Sequence, residues 1–179
     1  MRKIVLVLFV LLISVALCCT GCKKEEEGQE SKEPAEPIKI GAIFAVTGGA
    51  SFLGAPEAKT AEMLVEEINA SGGVLGRPIE LIVKDSAASP EKAISFAKQL
   101  IEEERVTAII GPSTSGETMQ IKELCQKAGT PLLSCAAAEA IVDPVASYVF
   151  KTPQKDSYVV RWIYQTMQDM KISKIGIVA

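Results

Sequence analysis

An α/β fold built on a parallel sheet is what this chain predicts, and three observations predict it. Short apolar, β-rich runs alternate along the chain with stretches whose apolar residues recur at helical spacing. Between each run and the next helix lies a loop rich in glycine, serine or threonine. Strand–helix–strand order of this kind closes through right-handed crossovers into a parallel sheet covered on both faces.

Each element has its own justification. "IKIGAIFAV" (38–46) is the first strand and ends at Thr47-Gly48-Gly49. "APEAKTAEMLVEEINA" (55–70) sets Ala61, Leu64, Val65 and Ile68 on one helical face and stops at Ser71-Gly72-Gly73. "IELIVKD" (79–85) is a second strand. Ser89-Pro90 then opens a helix with a cap residue and a proline in first position, running to about Glu104 and facing inward with Ile94, Ala97, Leu100 and Ile101. "VTAIIG" (106–111) is a third strand, followed by a helix over about 115–128 that buries Ile121, Leu124, Cys125 and Ala128. "PLLSC" (131–135) and "YVFKT" (148–152) are short strands, Asp156 to Met170 a helix, and "KIGIVA" (174–179) a last buried strand. That strand would have no helix to cover it, so the expectation is an N-terminal fragment of a longer protein.

The amino terminus predicts a location. Met-Arg-Lys precedes fourteen uncharged residues, Ile4 to Leu17, a basic and then an apolar region too short for an ordinary transmembrane helix. Cys18, Cys19 and Cys22 follow, then "KKEEEGQESKEPAEP" (23–37), a polar tether with nothing to bury. Cys19-Thr20-Gly21-Cys22 matches C-x-x-C, but a redox pair belongs inside a folded domain and a zinc ribbon needs a second pair. Leader, small residues, cysteine and tether together resemble the lipobox of bacterial lipoproteins, with Cys19 where leucine is usual. That resemblance implies a signal peptide over 1–21 and lipidation of Cys22, with plain secretion as the alternative. A lipid on Cys22 would anchor the protein to the membrane, two acyl chains sufficing where one holds marginally.

Composition excludes several functions. The chain has no histidine, which removes Ser-His-Asp and Cys-His catalysis and most zinc sites. Its formal charge is −3, and loss of Arg2 and Lys3 with the leader makes the remainder more acidic, against a nucleic-acid partner. Carboxylate pairs such as Glu66-Glu67 and the run 102–104 read as solvated helix surface. No G-x-G-x-x-G follows the first strand, and no metal or cofactor is expected.

Sites in parallel sheets form at the carboxyl ends of the strands, which selects loops 47–54, 111–116 and 134–140. "GPSTSGET" (111–118) has the outline of a phosphate-binding loop, but Glu117 stands where the lysine is needed. Thr114 and Glu117 read instead as a capping box. The helix N-terminus still offers free N–H groups and partial positive charge, and Ser115 adds a hydroxyl donor. From these alone the ligand could be sulfate, phosphate or an organic acid. Cys135 lies near the same edge, and without a base beside it reads as a packing residue rather than a nucleophile.

The phrases "IKIGAIFAVTGGASFLG", "VEEINASGGVLGRPIELIVKDS", "SPEKAISFAKQLIEEERVTAIIGPSTSG", "GTPLLSCAAAEA" and "YVFKTPQKDS" resemble the branched-chain amino-acid (Leu/Ile/Val-binding) type of solute-binding protein of ABC transporters, from about Ile38 to Ala179. The resemblance implies a type I periplasmic-binding-protein fold: two Rossmann-like parallel-sheet lobes that close on a ligand. Residues 22–37 would then be the tether, 38–153 most of the first lobe, and 154–179 the beginning of the second.

By the same resemblance, Ser115 holds the ligand carboxylate and the Ala136 carbonyl accepts from a ligand ammonium. Ala138 stands where amino-acid binders usually have threonine, so a hydroxyl is missing and only the backbone N–H remains. Leu53 occupies a usual aromatic position, with Phe52 beside it as a substitute. A lost hydrogen bond to a charged group is worth roughly 1.5–3 kcal/mol, which favours a carboxylate lacking the ammonium, such as an aromatic acid. The implied partners are a small amino acid or carboxylate and an ABC permease, the implied location extracytoplasmic and lipid-anchored, and the implied chemistry non-enzymatic. A ligand-sensing receptor domain and an α/β enzyme using Cys135 or a carboxylate are the alternatives.

Overall fold

The computed structural model describes residues 36–176. The leader, Cys22 and the tether up to residue 35 lie outside the described residues, as does the end of the last expected strand.

Strand β1 (Ile38–Phe44) is central because it is apolar on both sides. It pairs in parallel over its whole length with β2 (Ile79–Asp85), and through Ile40, Gly41 and Ala42 with β3 (Ala108–Ile110). Strands β4 (Leu132–Ser134) and β5 (Val149–Lys151) extend the sheet, giving the order β2-β1-β3-β4-β5, all parallel. Alternate side chains of β1 go to opposite faces. Ala42 and Phe44 pack with Ala58 of helix α1 (Ser51–Ala70). Ile43 packs instead with Ala93 and Ala97 of helix α2 (Pro90–Lys98) and Ile121 and Cys125 of helix α3 (Ser115–Ala128). The predicted doubly covered α/β sheet is therefore present.

Ser89 caps α2, its hydroxyl accepting from the Lys92 N–H, with Pro90 in first position as expected. The expected helix to Glu104 is not uniform. It widens into a π-helical turn over Gln99–Glu103, which seats Leu100 over Gly41, where a β-carbon would stand 2.8 Å from a Leu100 methyl. Helix α1 starts at Ser51, not residue 55, and holds Pro56 in its second turn. Its inward face is Gly54, Ala58, Ala61, Val65 and Ile68, so Leu64 turns outward at 45% exposure. Ala128, expected inside, is exposed because the helix is ending at Gly129. Lys174, Ile175 and Gly176 pair with no strand among the described residues, and Ile175 is exposed, so the expected last strand does not form there. Helix α4 (Asp156–Asp169) forms close to its expected bounds with Tyr158, Trp162 and Ile163 exposed.

Candidate functional site

The carboxyl edge of the sheet gathers the three predicted loops. Two glycines allow the approach. A β-carbon on Gly54 would overlap the backbone of Ala45, so the first turn of α1 can lie directly against the end of β1. Gly111 has φ of 89° and backs onto the Ile43 carbonyl, which turns the chain from β3 toward α3.

Polar contacts then fix the loops. The Ser113 hydroxyl donates to a Glu57 carboxylate oxygen and accepts from the Ala45 N–H at 3.1 Å, joining α1, β1 and the β3–α3 loop. Thr114 caps α3: its Oγ1 accepts from the Glu117 N–H at 3.4 Å and donates to Glu117 Oε2 at 2.6 Å. This is the predicted Thr114–Glu117 cap, with the reciprocal bond running to the hydroxyl. Glu117 is fully buried, and its Oε1 meets no donor among the described residues. Below them Thr118 Oγ1 lies 2.8 Å from Ser134 Oγ, which accepts from the Ala136 N–H at 3.1 Å. On the other side Asp85 accepts from both the N–H and the hydroxyl of Thr47, at 3.1 and 2.6 Å. The Thr47 hydroxyl chiefly holds the Asp85 carboxyl below its ordinary pKa.

Ser115 is the first residue of α3 and is half-buried. Its Oγ accepts from the Ala138 N–H at 3.3 Å. The hydroxyl proton meets no acceptor among the described residues, and the group sits at the N-terminus of α3. The structure thus brings Ser115, Ala136 and Ala138 together, but the Ala138 N–H expected to remain for a ligand is engaged within the protein. The Ala136 N–H is taken by Ser134 and the Ala138 N–H by Ser115, so neither is a free donor. The one loop 134–140 thus turns both amides toward hydroxyls of the protein, the buried Ser134 and the half-buried Ser115. The Ala136 carbonyl receives no donor among the described residues. Leu53 and Phe52 stand on the exposed rim of α1, 39% and 75% accessible.

Electrostatics shape what can bind. Burial raises the Glu57 pKa, opposed by the Ser113 hydrogen bond and assisted by the nearby Glu117 charge. Burial, with the Glu57 charge second, pushes the Cys135 thiol up to about 11. Burial alone pushes Cys125 to about 12. Thiols so protonated are poor nucleophiles, in line with the packing role read for Cys135. Among the described residues no three His, Cys, Asp or Glu side chains cluster as a metal site, and no helix is long and apolar enough to cross a membrane. A separate concavity of about 410 Å³, lined by Lys39, Arg77, Glu104 and Thr107, opens at the amino ends of the strands, the edge where parallel sheets do not place ligands.

Sequence reasoning missed Glu57, Ser113, Ser134 and Lys151, whose ammonium donates to the Ala137 and Ala138 carbonyls. The signal available for Lys151 and Ser134 was their position at the carboxyl ends of short apolar runs. Nothing local marked Glu57, which sits on a helix face that reads as solvated.

Residues 37–179, from the start of β1 onward, match the family model described as periplasmic binding protein. The chain belongs to that family. As a periplasmic binding protein it is 31% identical over 140 residues, 78% of this chain, to Leu/Ile/Val-binding protein homolog 7 of Brucella abortus (strain 2308), of which it covers 35%. It is similar to the branched-chain amino acid transporter substrate binding protein LivJ of Streptococcus pneumoniae in complex with isoleucine, at TM-score 0.67 and 32% identity over 74% of this chain and 39% of that one. It is also similar to a solute binding protein of an ABC transporter from Rhodopseudomonas palustris BisB5 in complex with 3,4-dihydroxy benzoic acid, at TM-score 0.60 and 26% identity over 66% of this chain and 32% of that one. This periplasmic binding protein spans about a third of the length of the relatives it matches. The branched-chain type resemblance and the type I fold read from the sequence both stand. The family is one of substrate-binding proteins working outside the cytoplasm rather than of enzymes.

Proposed function

We propose that this chain is the ligand-receiving first lobe of an extracytoplasmic solute-binding lipoprotein that delivers a small carboxylate-bearing solute to an ABC permease. The observation that carries this reading is the Ser115 hydroxyl, set at the N-terminus of α3 and oriented by the Ala138 N–H. Its free proton and the partial positive charge of the helix end meet a ligand carboxylate. The Ala136 carbonyl, which receives no donor among the described residues, accepts from an ammonium if the ligand has one. Leu53 and Phe52 form the rim. Residues 38–153 compose the first lobe, 154–179 begin the second, and closure of the second lobe excludes water. Lipidation at Cys22 and the tether 22–37 hold the protein at the membrane, and Cys22→Ser would release it to the soluble fraction.

The first ligand class is a branched-chain or related amino acid, since homolog 7 and LivJ carry that description. A second class is favoured by a specific feature. Ala138 has no hydroxyl, so the loop offers an ammonium one acceptor fewer than a threonine there would. An aromatic acid needs none, and the dihydroxybenzoate complex supports that class. A ligand-sensing receptor would use the same site with a signalling partner in place of the permease. Calorimetric titration of the full-length gene product, freed of residues 1–22, with isoleucine and with 3,4-dihydroxybenzoate decides between the classes. Micromolar or tighter binding of either acid supports the reading, and binding of neither overturns it.

A further inference from the structure

We propose that Lys151 is a positioning and specificity-determining residue for this site, setting its preference for an anionic ligand by acting through Ser115. The inference rests on the carboxylate reading above and deepens it.

Lys151 ends β5, paired beside Ser134, and is half-buried. Its ammonium donates to three carbonyls, those of Ala137, Ala138 (3.3 Å) and Gln154 (3.3 Å), which matches its three N–H groups. The Ala137 carbonyl and the Ala138 N–H belong to one peptide unit. That N–H donates to Ser115 Oγ. A single line therefore runs from the Lys151 ammonium through the 137–138 peptide to the Ser115 hydroxyl, whose proton is left for the ligand. Each bond in such a chain polarises the next, so the cation makes Ser115 a stronger donor.

The surrounding charges give this relay its effect. Glu117 is buried in the first turn of α3, and Glu57 lies across the β3–α3 loop, so both oppose an incoming anion. Glu139, next along the strip, is already engaged by Lys155 at 3.7 Å and by the Ser157 hydroxyl at 3.1 Å. Lys155 also faces Asp143 at 3.9 Å. Among the described residues Lys151 pairs with no carboxylate, so its charge stays available to a ligand anion at the end of the relay.

The test is a double-mutant cycle in the full-length gene product, titrated with isoleucine and 3,4-dihydroxybenzoate. Lys151→Gln keeps an N–H donor and removes the charge. It is expected to weaken binding of the acid that the parent takes about tenfold, the scale of a charge-assisted bond. In the Ser115→Ala background the same change is expected to weaken binding less than about threefold, because its route is already cut. Equal losses in both backgrounds, or no loss in either, overturn the proposal, since a merely structural lysine would act independently of Ser115. If Lys151→Gln melts before it can be titrated, Lys151→Arg carries the test. The retained charge must keep affinity within about threefold of the parent, and a tenfold loss at parental melting temperature overturns the relay. A parent that binds neither acid refutes the carboxylate reading itself, and this inference falls with it. Binding by the parent with an additive cycle refutes only the role of Lys151.

Discussion

Gly54 lies against the backbone of Ala45 so closely that a β-carbon there would overlap the Ala45 carbonyl. The contact lets the first turn of α1 reach the carboxyl edge of the sheet, which in turn places Leu53 and Phe52 at the rim. Gly54→Ala is expected to destabilise the protein by about 1–3 kcal/mol, as overpacking of a tight contact does. A denaturant titration checks it, with the midpoint falling and the slope unchanged.

The hydroxyls of Thr118 and Ser134 share one buried hydrogen bond beneath the site. Thr118→Val keeps the shape and leaves the Ser134 hydroxyl with one partner fewer. The expected loss is about 1–3 kcal/mol, read as a lower melting temperature. Ser134 also holds the Ala136 N–H, so the same variant is expected to speed hydrogen exchange at Ala136.

Glu57 gives the protein a pH dependence of known sign. Its folded pKa is raised, chiefly by burial, so its contribution to stability is complete below the unfolded carboxyl pKa and is lost as pH rises through the folded value. Glu57→Gln retains an acceptor for Ser113 and abolishes this titration. Its melting temperature is expected to exceed the parent's at pH 7 and to converge with it near pH 4, about the unfolded value. Glu57 is partly exposed, so the gain is small, under about 1 kcal/mol. A gap that instead widens toward acid would contradict the assignment.

Cys135 should resist alkylation. With its thiol pushed to about 11, its thiolate population at pH 7.5 lies on the order of a hundredfold below that of an ordinary cysteine. Iodoacetamide labelling followed by mass spectrometry measures the rate directly. Labelling as fast as free cysteine would restore the case for a reactive thiol.

Much of the fold was legible because the first two apolar runs, β1 and β2, are seven residues each and bounded by clear turn and cap residues. β2 begins at Ile79 and ends at Asp85 as read, and Ser89-Pro90 opens α2 as read. What failed were features decided by tertiary contact. Pro56 looks like a helix start, yet α1 begins at Ser51 because Gly54 allows that turn against Ala45. The inward face of α1 is led by the small residues Gly54 and Ala58, so that Ala61, Val65 and Ile68 face in as read while Leu64, beside them in the apolar pattern, turns out. At the candidate site, the position of Ser115 at the start of α3 was legible from the strand-to-helix loop before it. The fate of the Ala138 N–H was not, since Ser115 lies 23 residues away in the chain. The same holds for Glu57 and Ser113, whose hydrogen bond spans 56 residues.

The most direct measurement is the affinity of the Ser115→Ala full-length gene product for whichever of isoleucine and 3,4-dihydroxybenzoate the parent binds, alongside the melting temperature of each without ligand. Removal of the Ser115 hydroxyl, which the proposed reading sets against the ligand carboxylate, predicts binding weaker by about one to two decades. The melting temperature is expected to fall by at most a few degrees, through loss of the Ala138 N–H bond. Undiminished affinity in Ser115→Ala would contradict the account, because the ligand carboxylate would then be held somewhere other than the N-terminus of α3.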